Sequence, residues 1–148
     1  MAAGKTRKRD SREESAFLEL LRTADILSRR VSQTLKKEEL SGTQYNVLRI
    51  LRGAQAGLSC GEIGNRMITR DSDITRLLDR LERRLISRSR ETKDRRTVMV
   101  RMTPAGLDLV GRLDEPVQAV HREQLGLLGE KRLKELSELL TACRDRLA

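Results

Sequence analysis

Apolar residues recur along most of this chain at helical spacing, and one interval breaks the rule. Phe17, Leu20, Leu21, Ala24, Leu27, Val31 and Leu35 fall on one face of a 3.6-residue period. Ser11-x-x-Glu14 ahead of them has capping-box form, so a first helix is predicted to open at Ser11 and to end near Lys36 to Glu38. Val47, Leu48 and Leu51 mark a second helix, opened by Ser41 or Thr43 and closed by Gly53. Ser59-Cys60-Gly61-Glu62 is another capping box and starts a short helix through Ile63 and Met67. Ile74, Leu77, Leu78 and Leu81 form the next stripe, behind a cap at Thr69 or Asp71. There the period changes to two. A short run near Ile86 to Arg90, a polar turn, and alternation from Thr97 to Met102 predict a β-hairpin.

Helical spacing resumes at Thr103-Pro104, with Thr as the N-cap and Pro at the first helical position. Pro116 is expected to kink or break this helix at its middle, and Gly126 and Gly129 to bracket a turn. In the last helix Leu133, Leu136, Leu140, Cys143 and Leu147 recur at steps of 3, 4, 3 and 4, the narrow seam of a coiled-coil-like contact, with Cys143 read as core. The first helix and the last two carry more apolar stripe than the short middle helices can cover. Leaving such a stripe in water is costly at about 25 cal/mol per Å², so a homodimer is expected. The fold class is mainly α with a small β-hairpin.

Charge gives the middle of the chain a purpose. The protein has 148 residues and a formal net charge of +9. The 36 residues from Arg66 to Arg101 hold twelve Lys/Arg against six Asp/Glu. A basic helix followed at once by a basic-tipped hairpin suits double-stranded DNA, the helix lying in a major groove and the hairpin beside it. Arg70, Asp71, Ser72, Asp73, Thr75, Arg76 and Arg80 lie on or near the polar face of that helix, and Lys93, Arg95 and Arg96 crowd the hairpin tip. Arginine can bond guanine with two hydrogen bonds, and Ser or Thr can reach bases or phosphates. The hairpin cations suit phosphates or the electronegative minor groove of A·T-rich DNA. Phe17 and Tyr45 are the only aromatic residues, too few for single-strand binding by base stacking.

Other classes of function find little support. No run approaches 18 apolar residues, so no membrane role is expected, and the charged start lacks the apolar segment of a secretory signal. Two cysteines without such a signal fit a reducing cytoplasm. Gly57-Leu58-Ser59-Cys60-Gly61 has the G-x-S-x-G form of a nucleophile elbow, but Ser59 has a better use as an N-cap, and the single histidine, His121, sits in a helical stretch far along the chain. Phosphate-binding loops, dinucleotide fingerprints and metal-spaced Cys/His clusters are missing, so neither an enzyme nor a cofactor or metal is expected. Cys60 is a candidate redox residue, since the first turn of a helix stabilises a thiolate; packing as a small hydrophobe is the plainer alternative.

Several runs together carry a likeness. Leu40-Ser41-x-x-Gln44-Tyr45-x-Val47-Leu48, the segment Ile74 to Glu82, Asp94-x-Arg96 and Thr103-Pro104-x-Gly106 resemble the MarR family of winged helix-turn-helix regulators. The likeness runs from about Ser11 to Ala148, and Ser59 to Gly106 is its specific part. It implies a triangular homodimer with residues 11–40 and 104–148 as a helical dimerisation region. Residues 41–103 would form the winged helix-turn-helix domain, with residues 1–10 a disordered basic arm. It implies a cytoplasmic repressor on a palindromic operator, with the helix matching Asp71 to Arg84 in the major groove. The wing arginine matching Arg96 would enter the minor groove, held by the aspartate matching Asp94. Effectors would be small anionic aromatic compounds bound between the dimer helices and the DNA-binding domain, or peroxides sensed at a cysteine. Two other readings share these residues: a redox-responsive regulator working through Cys60, and a non-specific architectural DNA-binding protein.

The chain departs from the family pattern twice. Residues 1–40 contain no cysteine, where the peroxide-sensing members carry theirs. After the recognition helix, Leu81-Glu82-Arg83-Arg84-Leu85-Ile86 lacks the glycine of the family's Leu-Glu-x-x-Gly-Leu-Ile. Either Arg83 or Arg84 then adopts φ > 0, at about 1–2 kcal/mol, or the helix ends by another route.

Overall fold

The computed structural model describes residues 11–70, 73–90, 93 and 96–147, so the N-terminal arm and most of the hairpin turn lie outside it. Six helices and a three-stranded sheet make up the described chain: α1 (Arg12–Lys36), α2 (Gly42–Arg52), β1 (Leu58–Ser59), α3 (Cys60–Arg66), α4 (Ile74–Glu82), β2 (Ile86–Arg90), β3 (Val98–Met102), α5 (Pro104–Leu125) and α6 (Gly129–Asp145). A single 3-10 turn, Gly126–Leu128, joins α5 to α6.

Side-chain caps set most helix starts. The Ser11 hydroxyl accepts from the Glu14 N–H at 3.1 Å. Ser41 and Ser59 open α2 and α3 with full capping boxes, closed by Gln44 and Glu62. Thr103 caps α5 by accepting from the Gly106 N–H at 3.1 Å. For α4 the expected cap was wrong. Its N-cap is Asp73, whose carboxylate accepts from the Arg76 N–H at 3.1 Å, so the helix begins later than a cap at Thr69 or Asp71 requires. Asp73 offers an acceptor nearer the first buried turn, and that turn fixes the start.

The sheet has the order β1-β3-β2, all antiparallel. The hairpin β2–β3 pairs Ile86 with Met102 through Arg90 with Val98. Strand β1 was not expected: Leu58 pairs with Val100 and Ser59 with Met99. Gly57 makes this approach possible. Its φ is +94°, and a Cβ there would lie 2.8 Å from Arg101 Cγ and 3.0 Å from the Val100 carbonyl oxygen.

One hydrophobic cluster holds the molecule together. Leu35 from the end of α1, Val47, Leu48 and Leu51 from α2, Ile63, Leu78, Leu81, Ile86 and Val100, and Leu109, Val110, Leu113 and Val117 from the first half of α5 are all buried in it. Each such residue contributes about 1.5–3 kcal/mol relative to exposure. The cluster stops there: α1 buries only Leu35, and α6 buries nothing. Cys143, read as core from the sequence, is exposed in the single chain because the face of α6 that carries it has no cover.

One further expectation is corrected, and one open choice is decided. Helix α5 runs unbroken through Pro116. The ring removes one N–H from the ladder, while burial of Leu113 and Val117 on either side holds both halves of the helix to the core, so the expected break does not occur. At the missing glycine there is no left-handed residue either. Among the described residues the only non-glycine with positive φ is Glu39, and Arg83 is an ordinary right-handed C-cap. The helix closes by a turn in which the Leu85 N–H reaches back to the Leu81 carbonyl at 2.9 Å. The next carbonyls are taken up by the start of α5: the Thr103 hydroxyl donates to Arg84 at 2.6 Å and the Thr103 N–H to Leu85 at 3.1 Å. This docking is tight enough that a Cβ on Gly106 would fall 2.3 Å from the Leu85 oxygen. The glycine that matters at this joint is Gly106, on the opposite side of it.

Candidate nucleic-acid interface

Helix α4 separates its residues cleanly by period. Leu77, Leu78 and Leu81 point into the core, while Thr75, Arg76, Asp79 and Arg80 are exposed. Arg70 and Asp73 are exposed at its approach, and Lys93 and Arg96 are exposed at the far side of the hairpin. Of the other site residues read from the sequence, Asp71, Ser72, Asp94 and Arg95 lie outside the described residues. Asp73 is turned to capping, so its carboxylate serves the helix start and stabilises the positive end of the dipole. Cys60 occupies the first turn of α3, half-buried against the core.

Sequence reading missed the brace between helix and wing. Arg88 of β2 shares its strand face with buried Ile86, and its guanidinium reaches α4. It bonds Asp79, and it donates to Glu82 Oε2 from Nε at 2.9 Å. The two carboxylates, Asp79 first, raise its pKa above the already high ordinary value. Two acids on the basic helix thus have a structural use, and Arg76 and Arg80 keep the exposed face. The signal was available: an arginine two residues from a buried isoleucine in a strand faces inward and needs an anion. On the other side of the hairpin the Arg101 guanidinium donates to the Ser89 hydroxyl at 2.9 Å.

A cavity of about 450 Å³ opens between α1, α2 and α5. Leu27, Val31, Leu35 and Val117 supply apolar wall, and Arg49, Asn46, His121 and Gln124 supply polar groups. No carboxylate lines it among the described residues. The Arg49 guanidinium stands 6.0 Å from the centre of the Tyr45 ring, and burial pushes the Tyr45 phenol pKa up. Both polar atoms of the Gln124 carboxamide are buried with no hydrogen-bond partner among the described residues. Ion pairs frame the cavity: Arg52 with Asp114 at 2.7 Å joins α2 to α5, and Arg30 with Glu123 at 2.6 Å joins α1 to α5.

A helix-turn-helix of α3 and α4, closed by a three-stranded sheet whose hairpin stands beside the exposed helix face, defines a winged helix-turn-helix DNA-binding protein. Comparison with known proteins narrows this. Residues 40–98 match the MarR family. The transcriptional regulator PecS of Dickeya dadantii (strain 3937) is 30% identical over 124 residues, covering 82% of this chain and 75% of PecS. The chain belongs to the MarR family of transcription regulators. Among solved structures, a MarR transcription factor from Planctomyces limnophilus is 40% identical with a TM-score of 0.70, covering 91% of this chain and 99% of that one. The fold is also that of Bordetella bronchiseptica BpsR, whose DNA binding is regulated by 6-hydroxynicotinic acid (TM-score 0.82, 24% identity, covering 93% and 99%). Among the described residues, no helix is long and apolar enough to cross a membrane.

Proposed function

We propose that this regulator works as a homodimeric repressor that occludes a palindromic operator and is released by a small effector in the cavity above the reading helix. Residues 11–40 and 104–148 would form the dimerisation region around the winged domain of residues 41–103. The observation that carries the dimer is the uncovered apolar surface at both chain ends: Phe17, Leu20, Leu21 and Ile26 on α1, and Leu136 and Leu139 on α6, are all exposed. Two copies would set two α4 helices about one DNA turn apart. In each, Arg70, Ser72, Thr75, Arg76 and Arg80 read or position the major groove. Lys93, Arg95 and Arg96 track the backbone and minor groove, with Asp94 steadying Arg96.

Arg49, in a wall that no carboxylate lines among the described residues, supports an anionic effector, with His121 in the same wall as a polar contact. The unsatisfied Gln124 carboxamide supports a second polar contact, since pairing it recovers the cost of burying it unbonded. The small-acid regulation of BpsR is in keeping with this.

The test is to select genomic fragments with the purified protein and measure their affinity against random duplex at several salt concentrations. A specificity ratio of roughly 10³ or more is expected. A ratio near one would replace the repressor with an architectural protein. Within the operator, Arg76→Ala should cost about 1–3 kcal/mol at one base pair if it reads guanine, and should weaken all sequences alike if it only holds phosphate.

A further inference from the structure

Residues 67–70, which follow α3, lie between the cavity and the approach to the reading helix. Met67 is buried, but Ile68 is 83% exposed, and Thr69 and Arg70 are exposed too. The Ile68 N–H donates to Asn46 Oδ1 at 2.9 Å. Asn46 lies in the middle of α2, half-buried, one residue before fully buried Val47. Its side chain is therefore fixed by a helix that belongs to the core. Asn46, Ile68 and Thr69 all line the cavity as well.

We infer that Asn46 is a positioning residue for DNA reading: its carboxamide oxygen latches the backbone of 67–70 to α2 and so fixes where α4 begins. The inference rests on the operator-binding reading above. It extends that reading by naming a residue on α2, outside the reading helix and the wing, that sets where the reading helix stands. Capping gives α4 its first turn through Asp73, but a cap does not fix the helix against the rest of the fold. Packing of Leu77, Leu78 and Leu81 holds the middle of α4. Around the approach to its N-terminus, where Arg70 stands, buried Met67, this bond and Ile74 against the core are the holds among the described residues. Asn46 and Ile68 both line the cavity, so an occupant that turns the Asn46 carboxamide away from the Ile68 N–H releases the latch.

The experiment compares full-length Asn46→Leu and Asn46→Asp with the wild type. Leucine fills similar space and cannot accept, whereas aspartate keeps an acceptor at the same reach. Amide hydrogen exchange in peptides covering 66–74 reads the latch without DNA. Asn46→Leu should exchange there at least fivefold faster, while peptides from α2 and α5 are unchanged, and Asn46→Asp should stay within twofold of wild type. Operator affinity should fall about tenfold for Asn46→Leu and be largely restored in Asn46→Asp. Equal exchange at 66–74 in wild type and Asn46→Leu would overturn the latch. So would faster exchange spread evenly over α2, α5 and 66–74, which marks general loosening. If the wild type binds no operator selectively, the repressor reading falls while the exchange result still judges the latch.

Discussion

In α4 the stripe Leu77, Leu78 and Leu81 is at most 7% exposed, whereas along α6 Leu136 and Leu139 are 38% and 67% exposed. Both helices have the spacing of an amphipathic rod, and both mix leucine with charged residues. What separates them is cover. Around α4 stand α2, α3 and the hairpin, all closing on one cluster. Among the described residues α6 meets the 3-10 turn and buries nothing fully, and the first turns of α1 are exposed. A hydrophobic stripe states how much surface must be hidden, and topology decides whether the same chain can hide it.

This contrast can be broken from either side. The largest effect is expected from Leu78→Ala: a fully enclosed side chain leaves a cavity, at about 3 kcal/mol. Chemical denaturation should show that loss at every protein concentration, because the cover is internal. Leu136→Glu combined with Leu139→Glu should do the reverse. Sedimentation should find a monomer at micromolar concentration with the winged core still folded, and operator affinity should drop roughly a hundredfold, about 2.7 kcal/mol. An unchanged dimer would show that α6 faces solvent in the assembly too.

Smaller changes sharpen the picture inside the winged half. Arg88→Ala should lower operator affinity about three- to tenfold with little change in thermal stability, since exposed carboxylate pairs contribute only about 1 kcal/mol or less. Arg88→Lys should not restore it, because an ammonium cannot bond Asp79 and Glu82 with the planar fork of a guanidinium. The smallest effect concerns the capping box of α3. Bonding to the backbone of Ser59 holds the Glu62 carboxyl below its ordinary pKa of 4.5. A depressed carboxylate pKa adds stability that is complete above 4.5 and disappears as pH falls through the lowered value. Glu62→Gln keeps an acceptor for the Ser59 N–H, so thermal melts of the variant should lose that part of the acid dependence.

These two halves were also unequally legible in the sequence. Helix starts at Ser41, Ser59 and Thr103 depend on atoms three residues away, so their caps could be read off the chain. The hairpin followed from the change of period at Ile86. Strand β1 could not be read, because two residues become a strand only when β3 arrives beside them. How α4 ends at Arg84 and Leu85 stayed open for a similar reason: the carbonyls there are satisfied by Thr103, a partner some twenty residues away along the chain. Within the site, exposed Thr75, Arg76 and Arg80 were legible from helical phase. The Asn46 bond and the cavity were not, since each is made by elements distant in sequence, whereas the Arg88 brace spans only six and nine residues and its strand phase carried a signal that went unread.

The chain has one tyrosine and no tryptophan, and that tyrosine, Tyr45, stands in the cavity wall beside Arg49. Excited at wavelengths that Phe17 does not absorb, the protein therefore emits from a single ring in the cavity wall. Titration of unlabelled protein with trial compounds should report occupancy as quenching or enhancement of one homogeneous signal. The regulator carries its own optical gauge, and the scarcity of aromatic residues is what makes the reading unambiguous.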